Sequence, residues 1–176
     1  MKFKFKIQQY QTDAVENTVA VFTGQPSHRV SEYRIDRGKR TQQQIDFEGD
    51  TGFRNHRIEL DGRALLKNIN AIQNLYDITP SATLAKGVGA VNLDIEMETG
   101  TGKTYVYIKT MFELNKQYGW SKFIIVVPSI AIREGVAKSF KMLEEHLWSI
   151  TAKRLVGLSI IVVTYSNSIV SHPILD

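Results

Sequence analysis

A chain of 176 residues with 43% hydrophobic side chains is long enough to bury one core, and a single α/β domain is the first expectation. The absence of cysteine excludes disulfides, thiolate zinc sites and cysteine nucleophiles. The formal charge of +4, with a pI near 9.2, tolerates a polyanionic partner without demanding one.

Met1-Lys-Phe-Lys-Phe-Lys-Ile7 alternates charged and apolar side chains, which reads as a strand and not as a secretory signal. From Tyr10 to Phe22 the residues Ala14, Val15, Thr18, Val19 and Phe22 recur at helical spacing, and Gly24-Gln-Pro26 ends the helix. Ser27 to Gly62 is polar, mixed in charge and glycine-bearing, so it reads as a loop-rich insertion or small hairpin subdomain, or simply as a solvated linker. Leu65, Leu66, Ile69, Ile72 and Leu75 predict a second helix up to Tyr76. Val91 to Met97 alternates as a strand and runs through glycine and threonine into a helix from Tyr105 to Tyr118. Lys122-Phe-Ile-Ile-Val-Val127 has the branched apolar run of a strand buried on both faces; Pro128 stops it, and a helix follows from Ile130 to about His146. Leu158 to Thr164 repeats the buried strand. Strands alternating with helices predict a parallel, doubly wound sheet. The longest apolar run, Leu155 to Val163, is far shorter than the roughly 20 residues that span a bilayer, so a soluble cytoplasmic protein without a membrane partner is expected. His28, His56, His146 and His172 lack ligand spacing and read as surface or packing residues.

The chemistry concentrates at Glu98-Thr-Gly-Thr-Gly-Lys-Thr104, where a strand should turn into a helix. Gly100 and Gly102 permit backbone angles closed to other residues, so successive N–H groups can converge on phosphate oxygens. The positive end of the helix dipole would add to that cradle. In such a loop Glu98, Thr99, Gly100, Thr101 and Gly102 line the phosphates of ATP, Lys103 bridges the β- and γ-phosphates, and Thr104 offers its hydroxyl to Mg2+. Met97 stands where the strict pattern has glycine, outside the Gly100–Thr104 cradle. The bland alternative is a glycine turn before a helix with a coincidental lysine.

Asp94-Ile-Glu-Met-Glu-Thr-Gly-Thr-Gly-Lys-Thr-Tyr-Val-Tyr107, followed by Phe123-Ile-Ile-Val-Val-Pro-Ser-Ile-Ala-Ile-Arg-Glu-Gly-Val136, resembles the helicase–endonuclease (Res) subunit of type III restriction-modification enzymes over roughly Phe3 to Lys138. Methionine before the loop is usual in that family. The resemblance implies a P-loop NTPase of superfamily 2 with RecA-like domains moving on double-stranded DNA, a nuclease domain, and a modification methyltransferase (Mod) partner. Tyr10-Gln11-Thr-Asp-Ala14 is similar to the glutamine motif, which implies that Gln11 reads the adenine edge through its amide. On the residues alone, a polar helix N-terminus explains Gln11 equally well. Pro128, Ser129 and Arg133 resemble a motif that contacts the DNA backbone, and Thr164, closing Ile160-Ile-Val-Val-Thr-Tyr165, resembles a further one. A plain surface residue competes for Arg133, and any buried strand for the last motif.

The expected division is 1–26 for the N-terminal strand and glutamine-motif helix, 27–63 for the polar insertion, and 64–176 for a partial RecA-like ATP-binding domain. No Asp-Glu motif follows the third strand, so an incomplete fold is expected: an N-terminal fragment that binds ATP weakly and neither unwinds nor cuts. A type I restriction motor, a stand-alone superfamily 2 helicase and a non-catalytic P-loop remnant are the alternatives. A small P-loop kinase fits less well, because its loop would lie near the N-terminus without a preceding glutamine motif.

Overall fold

The structure, a computed structural model, describes residues 8–28, 55–87, 89–151, 158–164 and 172–173. Its centre is α3 (Lys103–Tyr118), which is apolar on two sides. Ile108, Met111 and Phe112 pack toward one core, whereas Val106, Leu114 and Tyr118 pack toward another. A helix apolar nearly all round is stable only when sandwiched.

The first core lies between α3, α4 (Ile130–Thr151) and a sheet. Strand β1 (Lys122–Val127) pairs in parallel with β2 (Ser159–Thr164), in register from Lys122 opposite Ser159 to Val127 opposite Thr164. Helix α4 makes the crossover that a parallel pair requires. Phe123, Ile125 and Val127 of β1, with Ile160 and Val162 of β2, pack against Val136, Phe140 and Leu143 of α4. The other face of β1 is open: Ile124 is 69% exposed and Val126 is 60% exposed. This corrects the reading of β1 as buried on both faces, because α3 and α4 lie on the same side of the sheet. A two-residue β3 (His172–Pro173) joins β2 antiparallel, giving the order β1-β2-β3. Among the described residues the sheet is therefore a parallel pair with a short antiparallel addition, covered by helices on one face.

The second core holds α1 (Gln9–Ala20) and α2 (Gly62–Leu75) against α3. Val15 and Val19 of α1, Leu65 of α2 and the helix-end aromatics Phe22, Tyr118 and Trp120 fill it, with the Phe22 and Trp120 rings meeting edge to face at 4.9 Å. Asn68 ties α2 to the end of α1 through the carbonyls of Val21 and Thr23. Helix α2 begins three residues earlier than the spacing suggests, because Asp61 accepts a 2.7 Å hydrogen bond from the Ala64 amide and caps it. Its apolar stripe is Leu65, Ile69 and Ile72, while Leu75, at 72% exposure, is not part of it.

Val91 to Met97, expected as a strand, enters no ladder among the described residues. Its alternation is instead satisfied by packing, since Val91, Leu93 and Met97 lie against the second core. The described part of the polar insertion is not a solvated linker. Asn55 accepts from the Ser121 and Lys122 amides and donates to the Lys122 carbonyl, splinting the start of β1. Gln25 bonds Arg57 and Glu59, and the His28 and His56 rings stack at 3.9 Å with His28 on the Glu59 carboxylate at 2.7 Å. The expected strand at Met1–Ile7, and residues 29–54, lie outside the described residues. No helix among the described residues is long and apolar enough to cross a membrane.

Helix α3 ends at Gly119, whose amide donates to the Asn115 carbonyl at 2.8 Å and whose φ of +77° turns the chain out of the helix. A Cβ here would stand 1.8 Å from the His28 carbonyl oxygen. Gly119→Ala is expected to destabilise the chain by on the order of 3 kcal/mol, from the left-handed backbone and the backbone clash together. Denaturant unfolding measures this, and an unchanged midpoint would contradict the close packing of the two segments.

Candidate nucleotide-binding site

Four elements converge at the N-terminus of α3: the chain leaving Met97, the glycine loop, the helix itself and the first turn of α1. The loop is curled by its own hydrogen bonds. Thr101 donates to the Glu98 carbonyl through its hydroxyl at 2.6 Å and its amide at 3.4 Å. Gly100 and Gly102 take φ of +84° and +87°, and Gly102 is the N-cap of α3. These angles are why the two positions are glycine.

Lys103, the first residue of α3, folds its side chain back over the turn. Its Nζ donates to the Met97 carbonyl at 2.8 Å and the Glu98 carbonyl at 2.9 Å. Both acceptors are neutral carbonyls, so these bonds bring no counter-charge to the lysine beside the N-terminus of the 16-residue α3. Two positive centres, the lysine and the helix end, thus share one small region, an arrangement suited to an anion. A Cβ on Gly100 would meet nothing within 4 Å, so the tip of the loop borders open space.

Gln11 reaches this loop across the sequence. Its Nε2 donates to the Thr101 carbonyl at 2.8 Å, and its Oε1 accepts from the Gln8 amide at 3.5 Å. The neighbouring Tyr10 hydroxyl donates to the same Thr101 oxygen at 3.2 Å. A Cβ on Gly102 would lie 2.5 Å from Gln11 Nε2, so this glycine is needed for close approach as well as for its backbone angle. Tyr10 is the participant that residue patterns did not single out; its place beside Gln11 in the first turn of α1 was the available signal.

Thr104 lies on the first turn of α3, beside Tyr107. Burial pushes the Tyr107 phenol above its ordinary range, and the Thr104 hydroxyl bonded to it pulls the other way. Glu98, Thr99 and Gly100 are exposed, while Thr101, Gly102 and Thr104 are half-buried.

The residues read as DNA contacts divide. Pro128 is exposed and Arg133 half-buried at the start of α4. The Ser129 hydroxyl accepts from the Ile132 amide at 3.3 Å, and the Ser129 carbonyl accepts from the Arg133 amide, so Ser129 caps α4. Thr164 is 7% exposed and sits on the same face of β2 as Ile160 and Val162. Tyr165 lies outside the described residues.

Gly102→Ala is expected to cost about 1–2 kcal/mol through the unfavourable φ and to displace the Gln11 amide. Amide hydrogen exchange over residues 98–104 should then accelerate relative to the rest of α3. Unchanged exchange there would show that Gln11 does not brace the loop.

The family model described as type III restriction enzyme, res subunit, matches residues 4–161. The Res subunit of the type III restriction-modification enzyme EcoP15I from Escherichia coli is 40% identical over 94 residues, covering 52% of this chain and 10% of that protein. The EcoPI Res subunit from Escherichia phage P1 is 42% identical over 94 residues, with the same two shares of 52% and 10%. The StyLTI Res subunit from Salmonella typhimurium is 59% identical over 49 residues, covering 28% of this chain and 5% of that protein. The chain thus spans about a tenth or less of the length of these relatives. With the family match running from residue 4 to residue 161, across the helix that carries Lys103 and all of β1, the chain belongs to the type III restriction enzyme Res subunit family.

Proposed function

We propose that this chain forms the ATP-gripping part of a DNA-dependent, helicase-like motor in a type III restriction enzyme. The single observation that carries the reading is the Lys103 ammonium, held 2.8 and 2.9 Å from two loop carbonyls at the N-terminus of α3. These carbonyls are neutral acceptors that phosphate oxygens can replace, and charge-assisted hydrogen bonds to an anion are the stronger ones.

The loop fits a nucleotide triphosphate on three grounds: paired positive-φ glycines, open space beyond Gly100, and an ammonium next to a helix N-terminus. In this reading Lys103 leaves Met97 and Glu98 for the β- and γ-phosphates, and the amides from Gly100 to Thr104 hold the phosphate oxygens. Glu98 and Thr99 border the same loop, and Thr104 would hold Mg2+ through its hydroxyl. Bound ATP with Mg2+ supplies the hydrolysable phosphoanhydride. The chain's own residues bind and orient it. Gln11 presents one donor and one acceptor to the adenine edge.

Pro128, Ser129 and Arg133 are proposed to face the backbone of double-stranded DNA at the start of α4. There the contact would be independent of sequence and weakened by salt. Cleavage and a methyltransferase partner belong, in this proposal, to the whole protein and not to the segment described. The division into 1–26, 27–63 and 64–176 stands as part of it, although Asn55 and Gln25 join the insertion to both neighbours.

Titration calorimetry of the 176-residue chain with ATP and Mg2+ tests the reading. Weak binding is expected, and Lys103→Ala should reduce affinity about tenfold or more, the loss of a charge-assisted contact. Equal binding by the variant would remove the lysine from the site and the proposal with it.

A further inference from the structure

Thr101 has a carbonyl that takes no part in the α3 ladder, which begins with the Gly102 carbonyl accepting from the Val106 amide. Two adjacent side chains from the first turn of α1 serve it instead: Gln11 through Nε2 at 2.8 Å and Tyr10 through its hydroxyl at 3.2 Å. One carbonyl oxygen can accept both bonds, but one alone satisfies it. The same Gln11 amide is the group that must face the adenine edge when nucleotide is present. Its acceptor end is also engaged, by the Gln8 amide at 3.5 Å. Gln11 therefore has internal partners at both ends, and reading a base means giving up at least part of that bonding.

We propose that Tyr10 is a positioning residue for base recognition, holding the Thr101 carbonyl so that Gln11 can transfer its amide from the loop to the purine. This rests on the reading of the loop as an ATP site. Without the Tyr10 hydroxyl, each turn of Gln11 toward a base strips the Thr101 carbonyl of its side-chain donors. The cost falls on base recognition and not on phosphate binding, because a ligand lacking a base leaves Gln11 where it is. Tyr10 is 48% exposed and its ring does not belong to either core, so its hydroxyl can be removed without disturbing the packing. The hand-off also explains why two donors address one acceptor from neighbouring helix positions.

The test compares Tyr10→Phe with the unaltered chain in binding ATP, UTP and inorganic tripolyphosphate, each with Mg2+. ATP affinity is expected to fall about fivefold, the equivalent of one hydrogen bond, narrowing the preference for ATP over UTP. Tripolyphosphate affinity should not change. An unaltered ATP-to-UTP preference, or an equal loss for all three ligands, overturns the role of Tyr10 while leaving the phosphate site standing. Failure of the unaltered chain to bind any of the three overturns the ATP-site reading and this inference together.

Discussion

A lysine ammonium turned back onto two carbonyls of its own chain is the contact around which the site is arranged. Lys103 opens α3, and its side chain reaches the Met97 and Glu98 carbonyls across the glycine turn. For this the chain must reverse within a few residues, which Gly100 and Gly102 allow by taking positive φ. The Glu98 carbonyl gathers Lys103 together with the hydroxyl and amide of Thr101, so the loop is closed on itself. A polar turn left unbonded would cost more than it returns, and here the charge and the turn satisfy each other. The same bonds are individually exchangeable for bonds to an anion.

That turn is held in place from both ends of α3. At its start, Gln11 and Tyr10 grasp the Thr101 carbonyl; at its end, the His28 amide donates to the Tyr118 carbonyl at 3.3 Å and joins the helix to the segment after α1. Between them α3 is buried against two cores, one toward the sheet and one toward α1 and α2. Among the described residues, the helix that carries the lysine thus contributes to both cores. The sheet is less enclosed, with Ile124 and Val126 exposed on the face away from α3 and α4.

Much of this was legible in the residues, and the failures have physical causes. Lys122–Val127 was readable to the residue because branched apolar side chains run between a serine and a proline. The loop was legible because glycine, lysine and threonine carry mechanical requirements that little else satisfies. Val91–Met97 alternated as a strand does, yet alternation reports only a half-buried extended chain. Whether a neighbour supplies ladder bonds is a long-range fact, and among the described residues none does. Burial of β1 on both faces failed for a similar reason: an apolar run shows what could be covered, not what covers it. Asn55 looked like part of a polar insertion, and its three hydrogen bonds to Ser121 and Lys122 join residues distant in sequence. The strand's alternation puts Thr164 on the buried face of β2 with Ile160 and Val162.

The Lys103 turn is proposed to exchange its internal carbonyls for phosphate oxygens. Amide NMR of the 176-residue chain during titration with tripolyphosphate and Mg2+ reports on this directly. The account predicts saturable shifts concentrated on Gly100 to Thr104, with movement of the Lys103 Nζ resonance and little change in β1 and β2. Shifts spread over the basic surface without saturation, or none at the loop, would contradict it.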